Sequence, residues 1–310
     1  MKKFIFNIFG FVGLLVSPFI VLFVLVLVIP PTPRALLTSP LFSQPQKDFL
    51  LKNTEAPRII FIGGSNVAYG LDSQAIKDAL DINPINTAII RPLGLKYMLE
   101  NAYQYIKEGD IIVVMLEYQN FYLTYDYVSD ALAMMILDVD KSKIKLLNLG
   151  QMPGFFQQIP KLAFSKLNPI NYIVRKGYSP RMFNEYGDNY YHWTLGRHDF
   201  NPSGPLDVKK YDPKAMEGLK QFEEKLHQKC ATLYVSYPSY QDIAFDYSVE
   251  AINKVEEEYI KHGFAILGTP RRYRMDDSLM FDSSYHLLKR GVDLRTQLLI
   301  EDLKEAGIGR

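Results

Sequence analysis

The stretch RIIFIGGSNVAYG, residues 58–70, decides the predicted fold. In its first five residues, Arg58 is followed by four apolar side chains, three of them β-branched, which predicts a buried strand over 58–62. Gly63 and Gly64 end that strand, because paired glycines allow a sharp turn without a Cβ penalty. Ser65 stands at the turn. Ligands of open α/β sheets bind at the carboxyl ends of strands, so the pattern predicts an exposed, nucleophilic serine.

Other sites that use glycine-rich turns do not match this stretch. No lysine follows in Gly-Lys-Ser/Thr form, which excludes a P-loop, and the Gly-x-Gly-x-x-Gly spacing of dinucleotide folds is missing. Val67 stands where the Gly-x-Ser-x-Gly elbow of α/β-hydrolases has its second glycine. An ordinary turn remains the simplest alternative, because glycine and serine both favour turns.

Downstream of residue 57, apolar strand patterns alternate with helical patterns, which predicts βαβ units and a parallel sheet. The segment 124–180 has apolar patches at helical spacing but no clear strand, and residues 186–193 are rich in aromatics. We therefore expect one α/β domain over 57–310, with an inserted helical and aromatic segment at about 124–212. The predicted strands cover 58–62, 85–90, 111–116, 232–235 and 264–267. One predicted helix begins near residue 72, and the others cover 93–107, 213–228, 248–262 and 289–306.

Composition limits the partners that the chain can have. With 310 residues, 48% of them hydrophobic, it can bury one sizeable core. A net charge of +1 without a dense Lys/Arg cluster makes nucleic acid an unsuitable partner. Cys230 is the single cysteine, so it forms no intrachain disulfide; it precedes an apolar strand, which predicts a small core residue.

The N-terminus predicts a membrane anchor. Phe4–Ile29 is apolar apart from Asn7 and Ser17, and it is long enough to cross a bilayer as a tilted helix. The run is longer than a signal-peptide core, so we expect an uncleaved anchor over residues 1–30. Lys2 and Lys3 precede it, which puts the N-terminus in the cytoplasm and the soluble domain on the extracytoplasmic or periplasmic side of the cytoplasmic membrane. The Pro-, Ser- and Gln-rich residues 31–56 predict a linker.

A nucleophilic serine needs a base within hydrogen-bond reach, and that base needs an acceptor to orient it. His286 is the leading base among five histidines, because it lies just before the last predicted helix in the run FDSSYHL, residues 281–287. Asp282 stands four residues upstream of it. An aspartate near a histidine fixes its tautomer, although such a residue is also a common turn or capping residue.

The Gly-Gly-Ser-Asn turn at residues 63–66 and the run at residues 281–287 together resemble the SGNH (GDSL-type) hydrolase superfamily. GSNVAYGLD after the first strand and FNEYGD at 183–188 are most similar to membrane-anchored members that accompany cell-envelope acylation, such as the alginate O-acetylation proteins and the D-alanine-transfer protein of teichoic acid synthesis. The resemblance implies a three-layer α/β/α, flavodoxin-like domain. It also implies an acylated envelope glycan or polymer as substrate, with an integral membrane acyltransferase as partner.

The resemblance also implies roles for particular residues. Ser65 matches the family's nucleophile and His286 its base, while Asn120 falls where the family has an oxyanion-binding asparagine. Gly94 is the best match for the glycine that binds the oxyanion, with Asn86 and Thr87 as alternatives.

Three positions depart from the family pattern. Gly64 replaces an aspartate, and the third block has Glu117 and Tyr118 where a glycine is usual. The usual Asp-x-x-His spacing would put the acid at Ser283, whereas the aspartate stands at 282.

Three further residues are candidate substrate contacts. Glu117 ends a buried strand, and it is either a structural partner for Arg91 or another cation, or a substrate contact. Tyr191 and Trp193 offer flat faces for a sugar ring, although aromatic side chains more often belong to the core. No spacing typical of metal ligands occurs, so neither a metal nor an organic cofactor is implied.

The sequence thus predicts a membrane-anchored serine esterase or O-acyltransferase. The alternative is a non-catalytic scaffold or glycan-binding protein with the same fold, because fold does not dictate function.

Overall fold

We describe a computed structural model of the chain over residues 2–174 and 179–309. The side chains of residues 2, 3, 5, 7–9, 12 and 15 are outside the description. The chain divides into two compact units, one of residues 1–42 and 128–180, the other of residues 43–127 and 181–310.

The first unit is helical. Helix α1 covers Lys2–Val28 and α2 covers Pro33–Thr38, and the 128–180 part adds α7 (Asp130–Met134), a π-helical turn (Met135–Val139), α8 (Met152–Gln157) and α9 (Ile159–Leu167). Helix α9 packs against α1, and the Lys166 ammonium donates to the carbonyls of Val26 at 2.8 Å and Ile29 at 2.7 Å. At the C-terminus of α1, this ammonium satisfies carbonyls that have no partner within the helix, and it interacts favourably with the negative end of the helix dipole.

The predicted anchor over residues 1–30 coincides largely with α1. Within the described ranges of the chain, no helix combines the length and the hydropathy that a membrane span requires. This finding gives the predicted anchor no support, and several side chains of that run lie outside the described residues.

The second unit contains the predicted parallel sheet. Its strands are β1 (Arg58–Gly63), β2 (Asn83–Asn86), β3 (Ile111–Met115), β4 (Thr232–Ser236) and β6 (Ile266–Leu267), all parallel, in the order β2-β1-β3-β4-β6. A separate pair joins β5 (Tyr240–Gln241) to β7 (Arg274–Met275). The helices are α3 (Gln44–Asn53), α4 (Ser65–Ala68), α5 (Ser73–Leu80), α6 (Leu95–Tyr103), α10 (Lys214–His227), α11 (Asp242–Asp246), α12 (Val249–Lys261) and α13 (Lys289–Glu305).

Helices cover both faces of this sheet. Ile59, Phe61 and Val113 face a core shared with α5 and α13, whereas α6 and α10 pack against β1, β4 and each other. The α/β class with a central parallel sheet is therefore confirmed, and it is consistent with three layers. Counted along the sheet, the strands have the order 2-1-3-4-5 of flavodoxin-like folds.

Three expectations from the sequence differ from the structure in detail. The second strand covers Asn83–Asn86 instead of 85–90, and it contains Pro84. Because β2 is at the edge of the sheet, a proline there costs no ladder hydrogen bond on its outer side. Cys230 is exposed with a φ of 53°, at the turn after α10, so it is not a core residue. Residues 31–56, predicted as a linker, contain α2 and α3.

The ends of β1 and β3 fix where a site can form. They are neighbours in the sheet, but the chain leaves β1 towards β2 on one side and β3 towards β4 on the other. That reversal of direction opens a crevice at the carboxyl ends of the two strands, where α/β sheets bind ligands.

Candidate active site

Ser65 lies on the turn at the carboxyl end of β1, where the sequence predicted it; the structure shows that this turn is at the switch point of the sheet. It is the first residue of α4, directly after β1 and the N-cap residue Gly64. Gly64 has a φ of −89°, which any residue adopts, so conformational freedom is not why glycine is needed. A Cβ at this position would lie 2.7 Å from Glu117 Oε1 and 3.0 Å from the Arg91 nitrogen. Glycine therefore fits here because the Glu117 carboxylate and the neighbouring backbone occupy the space that a Cβ would need.

Glu117 binds the proposed nucleophile directly. Its Oε1 accepts a hydrogen bond from Ser65 Oγ at 3.1 Å and a longer one from the Asn66 amide at 3.4 Å. Its Oε2 forms an ion pair with Arg91 Nε at 3.1 Å. The prediction that Glu117 has Arg91 as a structural partner is thus confirmed. The contact with Ser65 was not predicted.

The turn around Ser65 is held by long-range contacts. Asn66 Nδ2 donates to the Met115 carbonyl at 3.0 Å, and Asn66 Oδ1 accepts from the Gly64 amide at 3.1 Å. Met115 is the last residue of β3 and Glu117 follows it by two residues, so the end of β3 fixes the position of the serine turn.

His286 and Asp282 form the second half of the candidate site. His286 Nδ1 lies 2.6 Å from Asp282 Oδ1, and both side chains are largely buried. Because the carboxylate accepts, Nδ1 carries the proton and Nε2 is left as the basic nitrogen. Ser283 stands where the family spacing would put the acid; its Oγ instead accepts the His286 amide at 3.2 Å. The geometry is that of an acid orienting a base.

Tyr69 connects the two halves. Its ring stacks on the His286 imidazole, with centroids 4.2 Å apart and planes 12° apart. Its amide donates to the Ser65 carbonyl at 2.9 Å, one helical turn after the serine. On the other side, Tyr285 OH accepts from the Tyr118 amide at 3.2 Å, next to Glu117. His286 is therefore fixed close to the serine turn.

Ser65 and His286 are not hydrogen-bonded to each other. Of the hydrogen bonds that the described residues form, the one made by Ser65 Oγ goes to Glu117. A change of χ1 moves the serine oxygen to another staggered position without moving the backbone. Catalytic hydrogen bonds are often loose before substrate binds.

The residues assigned to the oxyanion hole are placed differently from one another. The Gly94 amide already donates to the Arg91 carbonyl at 2.9 Å, and Gly94 has a φ of 84° at the start of α6. The Asn120 side chain is buried, and its Oδ1 has no hydrogen-bond partner among the described residues. Thr87 Oγ1, an alternative, donates to the Phe61 carbonyl at 2.8 Å.

The aromatic candidates differ in exposure. Tyr191 is 52% exposed, whereas the Trp193 ring is partly covered by the Lys289 ammonium, 4.4 Å from its centroid. Between them His192 is buried against Tyr69, with ring centroids 4.9 Å apart. Burial, and then the nearby His286, lower the pKa of His192 to about 4, so its ring is neutral at pH 7.

Sequence reasoning missed a buried polar cluster beneath the serine turn. Asp188 accepts from Ser73 Oγ and from Asn86 Nδ2, both at 2.8 Å, and Asn86 Nδ2 also donates to the Val67 carbonyl within α4 at 3.0 Å. The Lys47 ammonium donates to the carbonyls of Asn86 and Gly187. The FNEYGD run carries Asp188, but Lys47 lies in the predicted linker and gave no signal.

No group of three or more His, Cys, Asp or Glu side chains is arranged for metal binding in the part of the chain that the structure describes. The candidate site itself combines the serine Ser65, the imidazole His286 and two carboxylates, Glu117 and Asp282.

Comparison with known proteins leaves the family unassigned. No protein-family model matches the chain, and no curated protein sequence matches it. Among solved structures, the chain is similar to the protein YxiM from Bacillus subtilis, with a TM-score of 0.39 and 14% identity. The match covers 81% of this chain and 57% of that one, so the chain spans less than two thirds of its length.

Proposed function

We propose that the chain is a serine esterase or O-acyltransferase of the SGNH type that acts on an acylated cell-envelope glycan or related polymer. The observation that carries the proposal is the 2.6 Å pair of His286 and Asp282, stacked on Tyr69 one helical turn from Ser65. An oriented imidazole beside a serine at a switch point suits acyl transfer.

The reaction has two halves. Ser65 Oγ leaves Glu117, attacks the acyl carbonyl carbon, and gives its proton to His286 Nε2. The imidazolium, stabilised by Asp282, then protonates the departing alcohol oxygen and leaves an acyl-enzyme. In the second half water or a sugar hydroxyl attacks that ester and gives its proton to His286. The bond between the acyl carbon and Ser65 Oγ then breaks, the imidazolium returns a proton to Oγ, and the free acid or the acylated sugar is released. The Asn120 side chain and the Ser65 amide are the proposed oxyanion donors.

Turnover of p-nitrophenyl acetate by the purified full chain tests the proposal. Ser65→Ala and His286→Ala should each lower kcat/KM by at least about 10³-fold, because a triad works as a unit. Ser142→Ala, at an exposed serine outside the site, should leave the rate unchanged. Retention of the wild-type rate by Ser65→Ala would refute the nucleophile assignment.

We propose that the acyl-enzyme is resolved by transfer to a sugar hydroxyl and not by hydrolysis. The acceptor is selected by the groups at the leaving site, and the exposed Tyr191 face is suited to a sugar ring. Supplying a donor ester with glycan acceptors should give acyl-glycan above the level without enzyme. Release of free acid alone, whatever the acceptor, would favour a plain esterase.

A non-catalytic scaffold is the second candidate function. It is favoured by the hydrogen bond of Ser65 to Glu117, which occupies the nucleophile, and by the Gly94 amide, which already has an acceptor. Under this alternative a folded protein turns over no ester, and Ser65→Ala leaves glycan binding intact.

The location is also a proposal. The apolar Phe4–Ile29 run after Lys2 and Lys3 favours an anchored chain with its sheet unit outside the cytoplasmic membrane, near an integral acyltransferase that supplies acyl groups. Protease added to intact spheroplasts should then digest the sheet unit. Digestion only after lysis would reverse this topology.

A further inference from the structure

Arg91 has hydrogen-bonding capacity that the fold does not use. Its Nε forms an ion pair with Glu117 Oε2 at 3.1 Å, but among the described residues no hydrogen bond is made by the guanidinium. An arginine side chain presents five N–H donors in a planar fork. With Nε turned to Glu117, the Nη edge of that fork is left for another acceptor.

The two members of the pair differ in exposure. The Arg91 side chain is 30% exposed, whereas that of Glu117 is 6% exposed. The guanidinium is therefore the more solvent-exposed member of the pair. Because Glu117 also accepts the hydrogen bond from Ser65 Oγ, a single carboxylate links the guanidinium to the proposed nucleophile.

The backbone of residue 91 is fixed at this place. Residues 91–93 form a 3₁₀ turn with Pro92 in its first positions, and the Arg91 carbonyl accepts the Gly94 amide at 2.9 Å. The Arg91 nitrogen would lie 3.0 Å from a Cβ on Gly64, so the turn is pressed against the serine loop. A guanidinium on such a turn is positioned at little entropic cost to a ligand.

We propose that Arg91 is an anion-binding subsite beside Ser65, which selects ligands bearing a carboxylate or a phosphate close to the ester. A guanidinium edge matches both groups bidentately, and such charge-assisted hydrogen bonds are the strong ones. The subsite deepens the proposed function by naming an anionic substrate class. Only the statement that the ligand is an ester rests on that proposed function. Anion binding itself does not require catalysis.

Ligand-observed NMR titration of the full chain in detergent tests the subsite with four probes. D-Glucuronate and glycerol 3-phosphate carry the two anions, and glucose and glycerol are their neutral counterparts. At least one anion should bind more tightly than its counterpart, and the anion that does so identifies the group. Arg91→Gln should weaken that binding at least about tenfold, the size expected for a charge-assisted pair. Arg91→Lys, which keeps the charge without the fork, should fall between.

Two controls separate the subsite from indirect effects. Arg274→Gln, at a partly exposed arginine paired with Asp246, should bind the anions as wild type does. Arg91→Gln also leaves Glu117 as an unpaired, buried carboxylate, so the double variant Arg91→Gln/Glu117→Gln removes both charges. Binding should stay lost in it. Recovery in the double variant would show that the loss came from repulsion by Glu117 and would overturn the proposal.

The same titration distinguishes the subsite from the enzyme. Ser65→Ala should bind the anion with unchanged affinity. If the wild type hydrolyses no ester but its anion binding depends on Arg91, the subsite stands and the esterase proposal fails. Equal binding of anions and their neutral counterparts, or anion binding that survives in Arg91→Gln, would refute the subsite.

Discussion

The Ser65 turn and the His286 segment hold their polar side chains in different ways. Ser65 is bound by Glu117, which is 52 positions away in sequence and arrives on a different strand. His286 is bound by Asp282, four positions away in the same loop. The first arrangement exists only when β1 and β3 pair, whereas the second needs only a local turn. The proposed catalysis therefore requires the sheet to bring the locally paired His286 close to Ser65, whose partner comes from a distant part of the chain.

The two regions also differ in how closely they match the geometry needed for the proposed reaction. His286 already has its acid, so its basic nitrogen is oriented before any substrate binds. Ser65 instead donates to a carboxylate whose charge is balanced by Arg91. The proposed first step is thus a change of partner by the serine hydroxyl, and the histidine side needs no rearrangement.

The largest effect is expected on the His286 side. Asp282→Asn should lower kcat on a small acetyl ester by about 10²–10⁴-fold with little change in KM, because an amide no longer fixes the imidazole tautomer. Ser283→Ala is the matched control at the position of the usual family spacing, and it should cost less than about tenfold. A larger loss in Ser283→Ala than in Asp282→Asn would reject the acid assignment.

A smaller effect, on stability, is expected when the contact between Glu117 and Ser65 is displaced. Gly64→Ala puts a Cβ 2.7 Å from Glu117 Oε1, so the carboxylate must move. Overpacking of this kind costs about 1–3 kcal/mol of unfolding free energy, measurable by chemical denaturation. Gly196→Ala, where nothing lies within 4 Å of the added Cβ, should be close to neutral. Equal stabilities for the two variants would mean that Glu117 does not hold the turn as described.

The smallest effect concerns the cluster beneath the serine turn. Burial lowers the pKa of Lys47 from 10.5 to about 7, and the charge of Asp188 opposes that shift. Between those pH values the unfolded chain binds a proton that the folded chain does not. The free energy of unfolding should therefore rise with pH from about 7 upwards, by at most about 1.4 kcal/mol per unit, and this contribution is constant below 7.

Denaturation midpoints at pH 7, 8 and 9 measure that slope. Lys47→Met should flatten it, whereas Lys52→Met, at an exposed lysine of the same helix, should not. An unchanged slope in Lys47→Met would assign the pH dependence to other groups.

Features set by one stretch of sequence could be predicted, whereas contacts between distant segments could not. Strand β3, and β1 after Arg58, are unbroken apolar runs, so their position in the core could be predicted. The Asp282–His286 spacing was visible in one motif. The Asn83–Asn86 strand could not be predicted, because two asparagines and a proline carry no strand signal and only pairing with β1 defines it. The Ser65–Glu117 bond and the Tyr69 stack depend on chain segments that meet only in the folded protein.

The central claim is that His286 activates Ser65, and fluorophosphonate labelling tests it most directly, because the probe reacts with activated serines. The folded wild-type chain should give one adduct, located on Ser65 by peptide mass spectrometry, at a rate that falls at least about 10³-fold in His286→Gln. No adduct on the folded wild type would contradict the claim. So would an adduct on Ser65 that forms equally fast without His286.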